Sequence, residues 1–225
     1  MSWGKTLGSS IGKKIMMSLS GILLILFLAG HVSGNMTLLM GKAEAFNVYA
    51  HFMSTNPIVQ VIANVFKLFF VAHIVYAIAL IRQNKKARGN KAYDQTNKDG
   101  TTVSKYMGVL GTVIAVFLVV HLAQYWAVMH ELRGTIGTVT YDGVVMKDLY
   151  SVVAASYANP IIVGAYVACM FVLAFHLWHG FASAFQTLGW ASKRWTPIIS
   201  FVGKAYSIIV PVLFGLIPVV MYLRG

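Results

Sequence analysis

Five of the seven histidines in this sequence lie deep inside long apolar stretches: His31, His73, His121, and His176 with His179. Histidine within such a stretch is rare, and it usually faces the interior of a helix bundle or a cavity. A hydrogen bond between helices would explain any one of them. Four separate stretches that each carry a histidine need a common explanation, and a ligand held between the helices provides one.

The cysteine count excludes several kinds of site to which these imidazoles could otherwise belong. Cys169 is the only cysteine and lies in an apolar run, where packing is its expected role. The chain therefore has no internal disulfide, no thiolate zinc site and no Cys-x-x-Cys-His attachment for a c-type haem. Haem iron is commonly held by histidine, and two axial histidines leave no open position, which suits electron transfer.

The elements that carry the histidines are long enough to cross a membrane. Hydrophobic residues make up 58% of the 225 residues and charged residues 11%. Stretches of roughly 20 apolar residues lie at 15–40, 58–81, 106–130, 159–186 and 198–222. The first is too long for a signal peptide. We predict an all-α integral membrane protein, a single domain over 1–225 built as a bundle of five transmembrane helices.

Charge predicts the orientation of this bundle. The chain has 18 Lys and Arg against 6 Asp and Glu. With the N-terminus in the cytoplasm, most of the basic residues lie inside, as the positive-inside rule requires, and nucleic-acid binding is not needed to explain them. The inner set is Lys5, Lys13, Lys14, Arg82, Lys85, Lys86, Arg88, Lys91, Lys98, Lys105, Lys193, Arg194 and Lys204; the outer set is Lys42, Arg133, Lys147 and Arg224.

Depth sorts the histidines into two pairs. At 1.5 Å per residue, His31 and His121 lie about 24 and about 22 Å from the inner starts of their helices, near the outer face. His73 and His176 lie about 22 and about 25 Å from the outer starts of theirs, near the inner face. His179, one turn beyond His176, competes with it as the fourth member. Two level pairs predict two haems, roughly 13–16 Å apart along the membrane normal.

Small residues are expected beside a flat macrocycle. Gly21 precedes His31 by ten residues, and Gly111 precedes His121 by ten. Each glycine then lies about 15 Å below an outer histidine, at the depth of the inner pair. We predict that both give clearance to the inner haem. His51 and His130 fall near the outer surface and are expected to be solvated. Lys67, inside the second span, is expected to extend toward the outer interface or to serve a quinone or a haem propionate.

The sequence resembles the cytochrome b subunit of the succinate dehydrogenase/fumarate reductase family, in the branch with one membrane anchor and two haems. The similarity covers nearly the whole chain. It rests on Gly21…His31, "AEAFNVYAHFM" at 43–53, "VAHIVYAIAL" at 71–80, Gly111…His121 and "FHLWHGFASAFQTLGW" at 175–190.

This resemblance implies a ligand set and a set of partners. His31 and His121 would hold the outer haem b, and His73 and His176 the inner one; Gly189, thirteen residues after His176, favours His176 over His179. A flavoprotein subunit and an iron–sulfur subunit would bind on the cytoplasmic side, and menaquinone or another quinone near the outer face. Ala174 stands where some fumarate-reducing relatives carry glutamate, which favours succinate oxidation or another proton route.

The implied role is therefore electron transport in the inner (cytoplasmic) membrane, as part of a succinate dehydrogenase (quinone) or fumarate reductase of the respiratory chain and the tricarboxylic acid cycle. The dicarboxylate chemistry would belong to the flavoprotein, since this sequence has no Gly-rich dinucleotide motif and no cysteine cluster. Two alternatives stay open: a haem b anchor of a hydrogenase or formate dehydrogenase type of complex, and a proton-coupled transporter that relays protons through its histidines.

Overall fold

The computed structural model describes residues 8–88 and 102–225, and within them the chain is almost entirely helical. Its helices are α1 (Ser10–Leu39), α2 (Ala43–Thr55), α3 (Pro57–Arg88), α4 (Thr102–His121), α5 (Leu149–Tyr157), α6 (Pro160–Thr187) and α7 (Thr196–Arg224). A π-helical turn, Leu122–Trp126, and a last helical turn, Ala127–Met129, continue α4. A small antiparallel hairpin, β1 (Thr138–Tyr141) with β2 (Val144–Lys147), precedes α5.

Five segments are long and apolar enough to cross a membrane: Ser10–Leu39, Pro57–Ala87, Tyr106–Met129, Pro160–Thr187 and Thr196–Arg224. The prediction of a five-helix, all-α membrane protein is therefore confirmed. Several helices run past the predicted apolar limits. The first begins at Ser10 because the Ser9 side chain accepts a hydrogen bond from the Gly12 backbone N–H, at 3.0 Å. The polar end of α3 stays helical because Lys, Arg and Gln are good helix formers.

The membrane helices pack around α1 and α6. The closest association is between α6 and α7; α1 packs against α3, α6 and α7, and α4 packs against α6. Between α3 and α4 there are few contacts. Both of these helices expose large apolar side chains such as Leu68 and Val119. A surface of this kind needs a hydrocarbon solvent, which a lipid bilayer supplies.

A buried core lies at the predicted outer end of the bundle, where α2, α5 and the hairpin pack over the membrane helices. We call α2, α5 and the hairpin the outer cap. Asn47 of α2 is fully buried: its amide donates to Asp148 Oδ1 at 2.8 Å and its carbonyl accepts from the Tyr150 N–H at 2.9 Å. The segments 41–57 and 131–158 are thus folded elements of the cap. The core consists of Leu38, Phe46, Val153, Tyr157, Val163, Tyr166, Ile217 and Met221.

The "AEAFNVYAHFM" segment of the sequence forms most of α2, and its residues explain why it packs there. The ring of Tyr49 lies against Gly34 of α1 so closely that a Cβ at Gly34 would overlap it. Phe46 is buried beside Tyr150, with ring centroids 6.4 Å apart. Together with Asn47, these residues fix α2 across the outer ends of α1 and α5.

At the predicted inner end, the described residues include side-chain hydrogen bonds between α1 and α3. Lys13 Nζ donates to Gln83 Oε1 at 3.4 Å, and the Gln83 amide donates to the Ser10 hydroxyl, which joins α1 to α3. Of the basic residues used to predict orientation, Lys5, Lys91 and Lys98, and the side chains of Arg88 and Lys105, lie outside the described residues. Pro211 and Pro218 lie inside α7, which stays helical through both.

Candidate functional site

The outer pair of histidines meets between α1 and α4. The ring centroids of His31 and His121 are 5.9 Å apart, and the ring planes are nearly perpendicular at 89°. Each imidazole stacks on a phenylalanine four residues earlier in its own helix: His31 on Phe27 at 5.3 Å and His121 on Phe117 at 5.6 Å. The stacking fixes both rings on the helix faces that point at each other.

The inner pair meets between α3 and α6. The ring centroids of His73 and His176 are 6.5 Å apart, with an angle of 70° between the planes. His179 lies one turn further along α6 and makes no ring contact with His73 within the described part of the chain. The structure therefore brings together the two pairs that depth predicted, and His176 is the partner of His73.

The two glycines of the repeated Gly…His spacing flank the inner pair. A Cβ placed on Gly21 would lie 3.5 Å from Cε1 of His73, and one placed on Gly111 would lie 3.7 Å from Cε1 of His176. These are ordinary contact distances, so alanine would fit at either position and a larger side chain would meet the ring. Both glycines thus leave space beside the inner imidazoles, at the depth that the spacing predicted.

The hydrogen-bond network assigns the tautomer of His73. The Ser20 hydroxyl donates its proton to the Met17 carbonyl at 3.0 Å, and its oxygen lies 3.0 Å from Nδ1 of His73. A hydroxyl has one proton to donate, so with that proton given to Met17 the Ser20 oxygen is free to accept the Nδ1–H of His73. Nε2 then carries the lone pair and is the nitrogen available to a metal. Holding the second nitrogen in this way is what metal-binding histidines usually require.

The same reasoning applies to His121. The Tyr166 hydroxyl donates to Oε1 of Gln124, and its oxygen lies 3.4 Å from Nδ1 of His121. With the phenol proton directed to Gln124, the Tyr166 oxygen can accept the Nδ1–H of His121, and in that tautomer Nε2 carries the lone pair. Each pair therefore contains one histidine with Nδ1 beside a hydroxyl on a neighbouring helix: Ser20 on α1 for the inner pair, and Tyr166 on α6 for the outer pair.

The other member of each pair lacks such an acceptor. The Asn35 amide has two protons: it donates to the His31 carbonyl at 2.8 Å, and its nitrogen also lies 3.5 Å from Nδ1 of His31, where it offers a donor and no acceptor. Nδ1 of His176 is buried and, within the described residues, makes no hydrogen bond.

These distances fit a metal held between two imidazoles. With metal–nitrogen bonds of roughly 2 Å, two rings on opposite sides of one metal atom have centroids about 6 Å apart. The observed separations are 5.9 and 6.5 Å. Across residues 8–88 and 102–225, no three His, Cys, Asp or Glu side chains gather as a cluster able to hold a metal ion. The donor sets are pairs, and a haem completes its coordination with its own four nitrogens.

The backbone after His121 departs from the α-helix. Leu122–Trp126 forms a π-helical turn, a feature found frequently at functional sites. This turn carries Gln124 and also Tyr125, whose hydroxyl is buried without a hydrogen-bond partner in the described residues. The Tyr125 ring contacts His121 at 5.2 Å and Tyr166 at 6.4 Å.

Sequence reasoning missed Ser20, Tyr166, Gln124 and the two stacking phenylalanines. A signal existed for the phenylalanines, because Phe27 and Phe117 each stand six residues after the glycine of the repeated spacing. For Ser20 and Tyr166 no signal existed, since each contacts a histidine 53 and 45 residues away in the chain.

Two of the other predicted polar residues lie near the outer end of α4. Lys67 of α3 places Nζ 5.6 Å from the centroid of the Trp126 ring, so its ammonium extends outward from its own helix position. His130 stacks on the same indole at 4.5 Å, and its Nδ1 lies 2.8 Å from the Trp126 carbonyl. His51 lies on α2, away from both pairs in sequence, and is half-buried.

The outer acidic residues divide into paired and unpaired groups. Glu131 forms a 3.1 Å ion pair with Lys147. Burial would raise the pKa of Asp148, but hydrogen bonds from Ser151 and Asn47 outweigh it and hold the pKa below its ordinary value. Glu44 and Asp142 make no side-chain ion pair in the part of the chain that the structure describes.

No family model, curated protein or solved structure matches this chain.

Proposed function

We propose that this chain is a di-haem cytochrome b, the membrane anchor of a succinate:quinone oxidoreductase. The proposal rests on two pairs of facing imidazole rings: His31 faces His121, and His73 faces His176. Each pair has the ring separation of two axial ligands and one histidine with its Nε2 lone pair available. A haem bound in this way supplies one-electron transfer and offers no open iron position to a substrate.

The chain's own residues would hold and orient the two haems. Phe27 and Phe117 keep the outer imidazoles in place by stacking. Gly21 and Gly111 leave room beside the inner ones. The long apolar helices exclude water, as a bilayer-embedded electron carrier requires. In this proposal the physiological role is electron transport across the cytoplasmic membrane.

The partners would be a flavoprotein subunit and an iron–sulfur subunit on the inner side. The inner end presents basic side chains to them, and the described ones include Lys14, Lys85 and Lys193. Dicarboxylate chemistry belongs to the flavoprotein in this proposal. The resemblance of the sequence to such anchors supports the assignment, as does the lack of a nucleotide-binding motif in this chain.

A quinone, menaquinone in the favoured version, would bind near the outer pair and needs a proton donor or acceptor there. Among the outer ionisable residues, Glu131, Asp148 and His130 already have partners. Glu44, His51 and Asp142 remain, and we favour Glu44 and His51 for this exchange because both lie on α2, which packs against the helix that carries His31, whereas Asp142 lies in the hairpin turn.

The test is to purify the chain, count its haems and identify its partners. Pyridine-haemochrome analysis should give two haems b per chain, with the spectrum of low-spin iron. A tagged chain should recover a flavoprotein together with an iron–sulfur protein. A colourless protein would favour the proton-coupled transporter, and a red one that recovers a nickel or metal–pterin enzyme would favour a hydrogenase or formate dehydrogenase type of anchor.

A further inference from the structure

The two histidines of the inner pair differ in their hydrogen bonding. The difference corresponds to one position in the Gly…His spacing that α1 and α4 share. The elements Gly21, Phe27 and His31 correspond to Gly111, Phe117 and His121. Directly before the glycine, however, α1 has Ser20 and α4 has Leu110.

This difference places a hydroxyl beside one inner histidine and none beside the other. Gly21 lies against His73, and the neighbouring Ser20 receives the Nδ1–H of that ring at 3.0 Å. Gly111 lies in the same way against His176, and Nδ1 of that ring makes no hydrogen bond within the described residues. Leucine at the corresponding position offers no acceptor. Ser20 is fully buried, so water does not compete for its hydroxyl.

We propose that Ser20 is a positioning residue that sets the reduction potential of the inner haem through His73. The inference rests on the proposed function, since it needs a haem bound between His73 and His176. A hydrogen bond from Nδ1–H makes the imidazole a stronger donor through Nε2. A stronger donor stabilises ferric iron over ferrous iron. Ser20 therefore lowers the potential of the inner haem and leaves that of the outer haem unchanged.

The test is a redox titration of purified complexes that carry Ser20→Ala. The inner component should move to a higher midpoint potential, and the outer component should stay in place. Ser207→Ala is the matched control. Ser207 is also fully buried and donates to the carbonyl three residues before it, Lys204, at 2.9 Å, as Ser20 does to Met17. Within the described residues, no hydrogen bond joins Ser207 to a histidine. It should shift neither component.

Two further variants keep the proposal open to refutation if Ser20→Ala does not assemble. Ser20→Cys keeps the size of the side chain but is a weak acceptor, so it should shift the inner potential upward by less. Leu110→Ser supplies the missing hydroxyl at the corresponding place in α4, so it should shift the same component downward. The low-spin electron paramagnetic resonance signal of the inner haem should change in the same variants.

The outcomes separate this proposal from the function on which it rests. A wild-type protein without haem would overturn both. Two haems in the wild type, with an inner potential that is the same in wild type, Ser20→Ala and Leu110→Ser, would overturn the role of Ser20 and leave the di-haem assignment standing.

Discussion

An imidazole buried in a helix bundle has two ring nitrogens, and burying either without a partner costs free energy. In His73 and His121, Nδ1 lies 3.0 and 3.4 Å from the hydroxyl oxygens of Ser20 and Tyr166, so Nε2 is the nitrogen left for a further partner. Each of these rings also faces another histidine. A ligand that accepts the Nε2 lone pairs of both rings in a pair would account for this arrangement.

The pairing makes a prediction for single substitutions. His31→Ala or His121→Ala should remove the outer haem and keep the inner one, because each haem loses an axial ligand only in its own pair. His73→Ala or His176→Ala should do the reverse. Haem content and the reduced spectrum of the purified variants measure the result.

His179→Ala is the matched control for the inner pair, because it lies on the same helix one turn from His176. It should retain two low-spin haems. Equal loss of both haems from every variant, in protein that is still assembled, would count against two separate sites, and a high-spin inner haem in His179→Ala would show that this residue is the ligand instead.

Among the helices, α1 and α4 each contribute residues to both histidine pairs, from two sides of the bundle. Each carries a histidine of the outer pair and, ten residues earlier, a glycine that faces a histidine of the inner pair. One helix therefore serves both levels. The two helices are joined through α6, which packs against both.

We therefore predict that a bulky side chain at position 111 affects the inner haem and not the outer one. In Gly111→Leu the new side chain would meet the His176 ring, since a Cβ alone would stand 3.7 Å from Cε1. The inner haem should be lost or become high spin while the outer haem stays. Gly164→Leu on α6 is the control, because nothing lies within 4 Å of a Cβ there, and it should keep both haems. Parallel loss in the two variants would argue against a clearance role.

The outer cap depends on the contact between Asn47 and Asp148. In the folded protein the pKa of Asp148 is lowered, so its carboxylate stabilises the fold above its ordinary pKa, near 3.9, and this stabilisation is lost as the pH falls through the lowered value. We expect the thermal stability of the purified protein to fall more steeply below about pH 4 in wild type than in Asp148→Asn.

Asn47→Ala removes the partner of that carboxylate and leaves the Tyr150 N–H without its acceptor. It should destabilise the protein by about 1–3 kcal/mol at neutral pH. Unfolding curves in one detergent would measure both effects. Equal acid sensitivity of wild type and Asp148→Asn would mean that other groups govern it.

Periodicity and depth were sufficient to predict five spans, their order and the two histidine pairs, because bilayer thickness and helical rise convert sequence position into height. They also placed Gly21 and Gly111 at the inner level. The cap was not predictable, since its contacts join residues far apart in the chain, as Asn47 and Asp148 do at a separation of 101. The roles of Ser20 and Tyr166 were missed for the same reason: their partners are defined by helix packing.

The two ends of the whole molecule differ in charge, and this difference defines a direction along the membrane normal. Among the described residues, basic side chains lie mainly at one end of the bundle, and one histidine pair lies nearer each end. If that end is cytoplasmic, a charge that passes between the two levels moves along the membrane normal. The predicted difference in height is roughly 13–16 Å out of a hydrocarbon thickness of about 30 Å. Transfer between the levels would therefore sense a substantial part of the membrane potential.

This direction leads to a functional prediction for the intact complex. With quinone near the outer face and the soluble partners inside, loss of the outer haem in His31→Ala should abolish quinone-linked succinate or fumarate turnover. Reduction of an artificial dye that takes electrons from the soluble partners should be spared. In sealed vesicles, wild-type turnover should respond to an imposed potential, because a full crossing is worth about 2.3 kcal/mol per charge at 100 mV. If quinone activity survives loss of the outer haem and ignores the potential, the quinone site lies on the inner side, and the outer pair has another role.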